Sequence, residues 1–345
     1  MTCDNPSDIH LSMRKPRILG TAEGNYYHVM SRVVDRRYVF GEEEKEFFRL
    51  AMRKLEAFTG VRVLTYCIMS NHWHALLEVP TLKGVVNDEL CERIRSFYPK
   101  QRASAILEEF EWATKLAEET GSDLRLDELR QRYLSRMCNL SVFVKELKER
   151  FSKWYNRRNH RRGTLWEERF KSVLVENSDN AISTMAAYID LNPVRAGLVD
   201  DPRDYRYCGY SEAVGGGARA RQGIVCIMEM LGQDASWRKV SAQYRMLLFC
   251  AGEARENRTG MSPERVEKTL AEGGELDRFD LLRCRIRYFS DGVALGSRLF
   301  VEEVFETNRT LFSERRKDGA RKMRGGNWNG LYSMRSLSHA VAAPT

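Results

Sequence analysis

The sequence has no apolar run approaching the length that spans a bilayer. Its N-terminus carries Asp4, Asp8 and Arg14 and no apolar core segment, so it does not read as a secretory signal. A cytoplasmic location and no membrane partner are therefore expected. The eight cysteines lie far apart and form no CxxC pair, which excludes a zinc ribbon and a disulfide framework as organising devices. Histidine is scarce as well, at six residues. There is no internal repeat and no long low-complexity tract.

Basic residues are abundant. The chain of 345 residues has 56 Lys+Arg against 48 Asp+Glu, a net charge of +8. The excess is concentrated. Between Ser141 and Lys171 ten basic residues face four acidic ones, and between Arg315 and Arg335 seven face one. Two such segments suit contact with a polyanion better than an even spread of charge would. Arg157, Arg158, Arg161, Arg162, Lys171, Arg315, Arg316 and Lys317 are the candidate phosphate contacts. A solvated helix face and a basic tail would have the same composition.

Periodicity organises the first two thirds. Tyr26 to Arg32 alternates and is rich in aromatic and β-branched residues, which predicts a strand. Glu42 to Phe58 places Phe47, Leu50, Ala51 and Leu55 at helical spacing. Arg62 to Met69 and His74 to Val79 read as two strands around a tight Ser70-Asn71 turn. The order so far is β, α, β, β. The charged stretch from about 81 to 139 reads as an insertion of helices, long enough to cover a site. Ser141 to Asn159 is an amphipathic helix with Ser141 as its N-cap. Gly163 to Glu176 has strand or hairpin character. Ser178 to Asn192 is a helix capped by Ser178 and stopped by Pro193. Gly215-Gly216-Gly217 signals a linker. Beyond it the chain reads as largely helical to about Ser313. The expected organisation is a disordered 1–13, a catalytic domain over 14–212 with the 81–139 insertion, and a helical C-terminal domain over 218–345. Within the last, Phe289 to Phe305 looks like a helix-turn-helix that could dock on duplex DNA.

Two of the six histidines stand in one segment, Asn71-His72-Trp73-His74. On a strand, residues i and i+2 share a face. Two imidazoles then converge on one point, as ligation of a divalent metal needs, and Trp73 turns the other way into the core. The helix ending at Pro193 offers Asn192, whose amide oxygen can complete the sphere, and Tyr188 one turn earlier on the same face. The residue before proline avoids helical angles, which places Asn192 at the margin of that last turn. A phenol beside a metal is equipped for attack on a phosphodiester. The metal withdraws charge from the phosphate, and the product is a 5′-phosphotyrosine that keeps the bond energy for rejoining. A metal hydrolase is disfavoured because no carboxylates cluster near the histidines.

Five blocks occur in a fixed order: YYHVMSR (Tyr26 to Arg32), YCIMSNHWHALLEV (Tyr66 to Val79), GTLWEERFKSVLVE (Gly163 to Glu176), AAYIDLNPVRAGLV (Ala186 to Val199) and DPRDYRYCGY (Asp201 to Tyr210). Together they resemble the single-tyrosine HUH transposases, most closely the REP-associated tyrosine transposases of the IS200-like group. The resemblance covers about residues 14 to 212. It implies an α+β fold, a ferredoxin-like antiparallel sheet with flanking helices. It places His72 and His74 on the metal histidines, Tyr188 on the nucleophile and Asn192 on the polar residue that completes the site. It implies Mg or Mn as cofactor, single-stranded DNA and DNA hairpins as partners, and a monomer or a homodimer. Ser70 departs from the family, which usually has proline there. The function implied is a metal-dependent DNA strand transferase, a transposase that cuts and rejoins single strands near hairpin repeats. The alternative is a catalytically silent HUH domain that binds DNA hairpins and regulates them.

Overall fold

In the computed structural model, residues 17–229, 236–249, 282, 287–324 and 328–335 are described. The alternating stretch is strand β1 (Gly24–Arg32), followed by helix α1 (Glu42–Thr59) and the antiparallel pair β2 (Arg62–Ile68) and β3 (His72–Pro80). Gly60, in the left-handed region at φ 74, ends α1 and turns the chain into β2. Three helices follow, α2 (Asn87–Phe97), α3 (Lys100–Thr120) and α4 (Leu124–Leu134), then α5 (Leu140–Arg158). The cap of α5 is Asn139, whose side chain accepts from Val142 N, and not Ser141, whose hydroxyl accepts from Arg17 instead. Strand β4 (Lys171–Val175) leads to α6 (Asp179–Asp190) and the one-turn α7 (Asn192–Arg195). Ser178 precedes α6 but does not cap it through its side chain; its hydroxyl donates to Glu176. Helices α8 (Gly209–Val214), α9 (Ala218–Glu229) and α10 (Trp237–Phe249) come next. The last third contributes α11 (Arg287–Ser290), β5 (Gly292–Gly296), α12 (Arg298–Thr307), β6 (Arg321–Lys322) and β7 (Tyr332–Arg335).

The strands form one sheet in the order β2-β3-β1-β4-β5-β7-β6. Among the described residues only β4 and β5 run parallel; the other neighbours are antiparallel. The first four strands have the ferredoxin-like order, which requires α1 and α5 to lie together on one face. They do: Phe48 of α1 and Phe151 of α5 sit 5.4 Å apart by ring centroids, and Phe48 meets Trp73 of β3 at 5.2 Å. The opposite face is covered by α6 and α9. Gly223 makes this close approach possible, since a Cβ there would stand 2.3 Å from the Leu64 carbonyl oxygen of β2.

Three expectations are corrected. The inserted helices dock on the α1 face, where Phe97 stacks on Phe58 at 4.3 Å and Arg93 donates to the Phe58 carbonyl, so they lie away from the histidine face. The glycine triplet joins α8 to α9, which packs on β2, and is a tight turn within the fold. Phe289 to Phe305 is not a helix-turn-helix. The run GVALG, apolar and too short for a helix, is β5 and pairs with both β4 and β7. The last third is therefore joined to the site-bearing sheet by hydrogen bonds, and its Phe289, Leu295 and Met334 belong to the same buried core. The expected disordered segment 1–13 lies outside the described residues.

Candidate metal and tyrosine site

The register of β1 against β3 determines which side chains meet. His72 lies opposite Arg32, and His74 opposite Met30. These positions share the face that α6 covers, and Trp73 between them is fully buried on the other. The His72 and His74 rings stand 5.1 Å apart by centroids, nearly perpendicular at 83°. Their environments differ. His72 is half-buried, whereas His74 is 3% exposed. The two histidines are expected at a strand surface facing a cleft and not in the core; instead His74 is buried, with the Tyr188 ring of α6 at 6.2 Å.

His28, on the same face of β1, is also buried. Its Nε2 lies 2.8 Å from His74 Nδ1, and its Nδ1 lies 2.8 Å from the Phe289 carbonyl oxygen. Burial pushes His28 down to about 4 and holds His74 well below the usual histidine range, where the charges of His28, His72 and Arg195 lower it further. Both rings are neutral near pH 7. At His72, Nδ1 lies 2.7 Å from Asn71 Oδ1. The Asn71 amide nitrogen donates to the Arg36 carbonyl, which fixes the amide's orientation. Because Oδ1 only accepts, His72 Nδ1 carries a proton.

Tyr188 is brought to this cluster. Its ring lies 6.0 Å from His28 and 6.2 Å from His74, and it meets Phe289 edge-on at 4.7 Å. The Arg195 guanidinium sits 4.1 Å from the ring centroid, and it donates to the Tyr188 and Leu282 carbonyls. The tyrosine is 4% exposed, so Phe289 and Arg195 cover it. Every residue from Ala181 to Asp190 is buried, because the C-terminal strands and α9 close over α6. Asp190 ties the helix to three neighbours, accepting from Thr65, Tyr244 and the Tyr210 N–H, and burial raises it to about 6.

Asn192 sits just past α6 and opens the one-turn α7. Its amide nitrogen donates to the Tyr188 and Ile189 carbonyls, and so closes the end of α6. Its Oδ1 is therefore turned away from those carbonyls. Among the described residues no three His, Cys, Asp or Glu side chains are grouped to hold a metal. The two imidazoles would offer a divalent ion nitrogen donors, which suit a borderline cation.

The basic segment lies at the same end of the sheet. Val34 N–H donates to the Leu165 carbonyl and Glu167 N–H to that of Arg32, which brings the loop after α5 beside the His72 end of β1. Trp166 anchors that loop by donating to Ser152 Oγ at 2.8 Å. Arg157, Arg158 and Arg162 are exposed there, and Arg161 is half-buried. Arg158 pairs with Glu43 across the surface. Lys171 is exposed at the start of β4, near Glu168 and Asp291. In the C-terminal segment Arg315 and Lys317 are exposed, but Arg316 is structural. It donates to the backbone carbonyls of Asp318, Gly319 and Arg335 and lies over the rings of Phe312 and Phe305.

Sequence reasoning missed His28, Arg195 and Phe289. His28 had no local signal as a partner: it shares a face of β1 with Met30, two residues on, but only the β1–β3 register sets Met30 opposite His74. Phe289 had none, because its approach depends on the pairing of β5 with β4, more than a hundred residues away.

Among the described residues no helix is long and apolar enough to cross a membrane. No curated protein matches the chain. A solved structure, described as a REP-associated tyrosine transposase bound to a REP hairpin, is 15% identical, covers 59% of this chain and 87% of that one, and has a TM-score of 0.37. The stretch from residue 21 to 134, which carries His28, His72 and His74, matches the family of IS200-like transposases.

Proposed function

We propose that this protein is a metal-dependent DNA strand transferase that cuts and rejoins single-stranded DNA beside hairpin repeats, with Tyr188 as nucleophile. The observation that carries this reading is the approach of the Tyr188 ring to within 6.2 Å of His74, within one chain, on the sheet face that also bears His72. The match of 21–134 to IS200-like transposases supports a DNA-processing role.

In this reading His72 and His74 would hold Mg or Mn, with Asn192 as the further ligand that the family resemblance implies. The ion would supply charge withdrawal from the scissile phosphate. Arg32, opposite His72, gives the phosphate a second cationic contact. The Tyr188 phenol oxygen bonds to phosphorus, its proton passes to solvent, and the bond from phosphorus to the 3′ oxygen of the departing strand breaks. One P–O bond forms for each one broken, so the 5′-phosphotyrosine can be resolved by a second 3′-hydroxyl without an energy source. With Tyr188 4% exposed, DNA entry requires Phe289 and its segment to shift from the ring.

The test is incubation with labelled hairpin oligonucleotides and Mn. A covalent adduct that disappears in Tyr188→Phe is expected. Tight hairpin binding with no adduct would favour the silent regulatory module instead.

A further inference from the structure

We propose that His28 is a positioning residue for the metal site: it fixes the tautomer and orientation of His74 so that Nε2 of His74 faces the ion. This rests on the reading of His74 as a ligand.

The Phe289 carbonyl oxygen can only accept, so His28 Nδ1 carries the proton of that 2.8 Å bond. A neutral imidazole has one N–H, and His28 Nε2 is therefore an acceptor. Its partner at 2.8 Å is His74 Nδ1, which must then donate. The proton of His74 is thus held on Nδ1 and the lone pair on Nε2. The two rings are nearly parallel, 13° apart with centroids at 5.1 Å, and the 2.8 Å contact joins one nitrogen of each. A ligating histidine commonly donates its other N–H to a carboxylate or carbonyl, which sets the ring and raises its basicity. Here a second histidine has that role, and it is itself oriented by a backbone carbonyl. His72 is set in the same sense by Asn71, itself fixed by the Arg36 carbonyl. Both candidate ligands are held with the proton on Nδ1 before any ion arrives, by two separate relays that end on backbone oxygens. His28 is satisfied at both nitrogens, and one of its partners is the candidate ligand.

The first measurement uses the metal-free wild-type protein. Long-range proton–nitrogen correlation on 15N-histidine-labelled protein should show His28 and His74 both as Nδ1–H tautomers. A His74 ring protonated at Nε2 overturns the proposal. The second is Mn²⁺ affinity, read by electron paramagnetic resonance of the free ion. His28→Phe is expected to lose roughly 10–100-fold, the usual cost of removing a partner that orients a ligand. His28→Gln, whose amide oxygen can accept from His74 Nδ1–H, should recover most of the loss. Unchanged affinity in folded His28→Phe, or equal losses in the two folded variants, overturns the positioning role and leaves the strand-transfer reading standing on its adduct. A wild-type protein that binds no Mn²⁺ overturns both the role and the ligand assignment.

Discussion

The carbonyl of Phe289 accepts from His28 Nδ1 at 2.8 Å across 261 residues of sequence, and the ring of the same Phe289 lies 4.7 Å from that of Tyr188. One residue of the C-terminal third thus touches both halves of the candidate site. The sequence suggests a catalytic unit that ends near residue 212 and a separate helical domain that could dock on duplex DNA. The contacts argue otherwise. A chain ended after residue 212 loses the acceptor of His28, the pairing of β4 with β5, and the bonds of Asn180 to the carbonyls of Trp328 and Asn329. Such a fragment is expected to show lowered thermal stability and no metal-dependent adduct. A stable fragment that still cleaves would return the division of labour to the one read from the sequence.

Tyr188→Phe is expected to abolish covalent attachment to DNA while leaving hairpin affinity within about twofold. The ring remains between Phe289 and Arg195, so the loss is one hydroxyl and a change in stability of about 1 kcal/mol or less. An adduct gel run beside a binding isotherm separates the two effects. Persisting cleavage would move the nucleophile elsewhere, and Tyr26, Tyr66 and Tyr205 are then the candidates. All three are buried, and burial raises each of them above the ordinary tyrosine value, so they are poorer nucleophiles at neutral pH.

His72→Ala and His74→Ala should each remove metal-dependent cleavage, but their effects on stability should differ. His72 is half-buried, so its loss costs little. His74 is nearly fully buried and bonded to His28, so its truncation leaves a cavity and an unpartnered ring nitrogen, a cost of about 1–3 kcal/mol. Thermal melts of the two variants in EDTA check the difference. Equal melting temperatures would place His74 in a more open setting than the one described.

How much of this was legible in the sequence depended on the distance over which each contact forms. The β, α, β, β start, the long amphipathic α5 and the tyrosine helix follow from local periodicity, and the observed ends differ by a few residues at most. The i, i+2 spacing of His72 and His74 placed both rings on one face without any knowledge of the partner strands. Strand β5 reads as helix because it is only five residues long and is flanked by helical segments. Its apolar run carries no period that separates a buried strand from a buried helix turn. His28 was visible as a residue but not as a partner, because the β1–β3 register is a long-range property. Asn192 was singled out for its oxygen, and the structure adds that its nitrogen terminates the tyrosine helix.

Stability of the metal-free protein is expected to depend on pH through His28. Its folded value, about 4, is below the 6.5 of an unfolded histidine. Between these values the unfolded chain binds the proton and the folded one does not. Stability is therefore intact above about pH 6.5 and falls as the pH drops toward 4. The buried Asp190, raised to about 6 from 3.8, acts in the opposite sense, since its folded form holds the proton over much of the same range. The two contributions are separable by mutation. In His28→Gln the acid-side loss should flatten, and in Asp190→Asn it should steepen. Denaturant titrations at several pH values between 4 and 7 measure the slopes. Parallel slopes in all three proteins would mean that neither group is buried as described.

The loop after α5 is expected to carry the salt-dependent part of DNA binding. Arg157, Arg158 and Arg162 are exposed at the His72 end of the sheet, where a strand entering the site would pass. Arg158 pairs with Glu43, but both are largely exposed, and such pairs contribute little and yield readily to a phosphate. Reversing Arg157 and Arg158 to Glu should weaken binding of single-stranded DNA at low salt. It should also reduce the log–log salt dependence by about 0.7 for each phosphate that is no longer neutralised. Arg316 is the contrast within the second basic segment. Its donors hold the backbone carbonyls of Asp318, Gly319 and Arg335, so Arg316→Ala should lower the melting temperature and leave the salt slope as it was. Arg315 and Lys317 remain exposed and are the residues of that segment to reverse in parallel. An unchanged slope after reversal of Arg157 and Arg158, with a reduced slope after reversal of Arg315 and Lys317, would place the DNA path along the far edge of the sheet, beside β6 and β7, and away from the loop after α5.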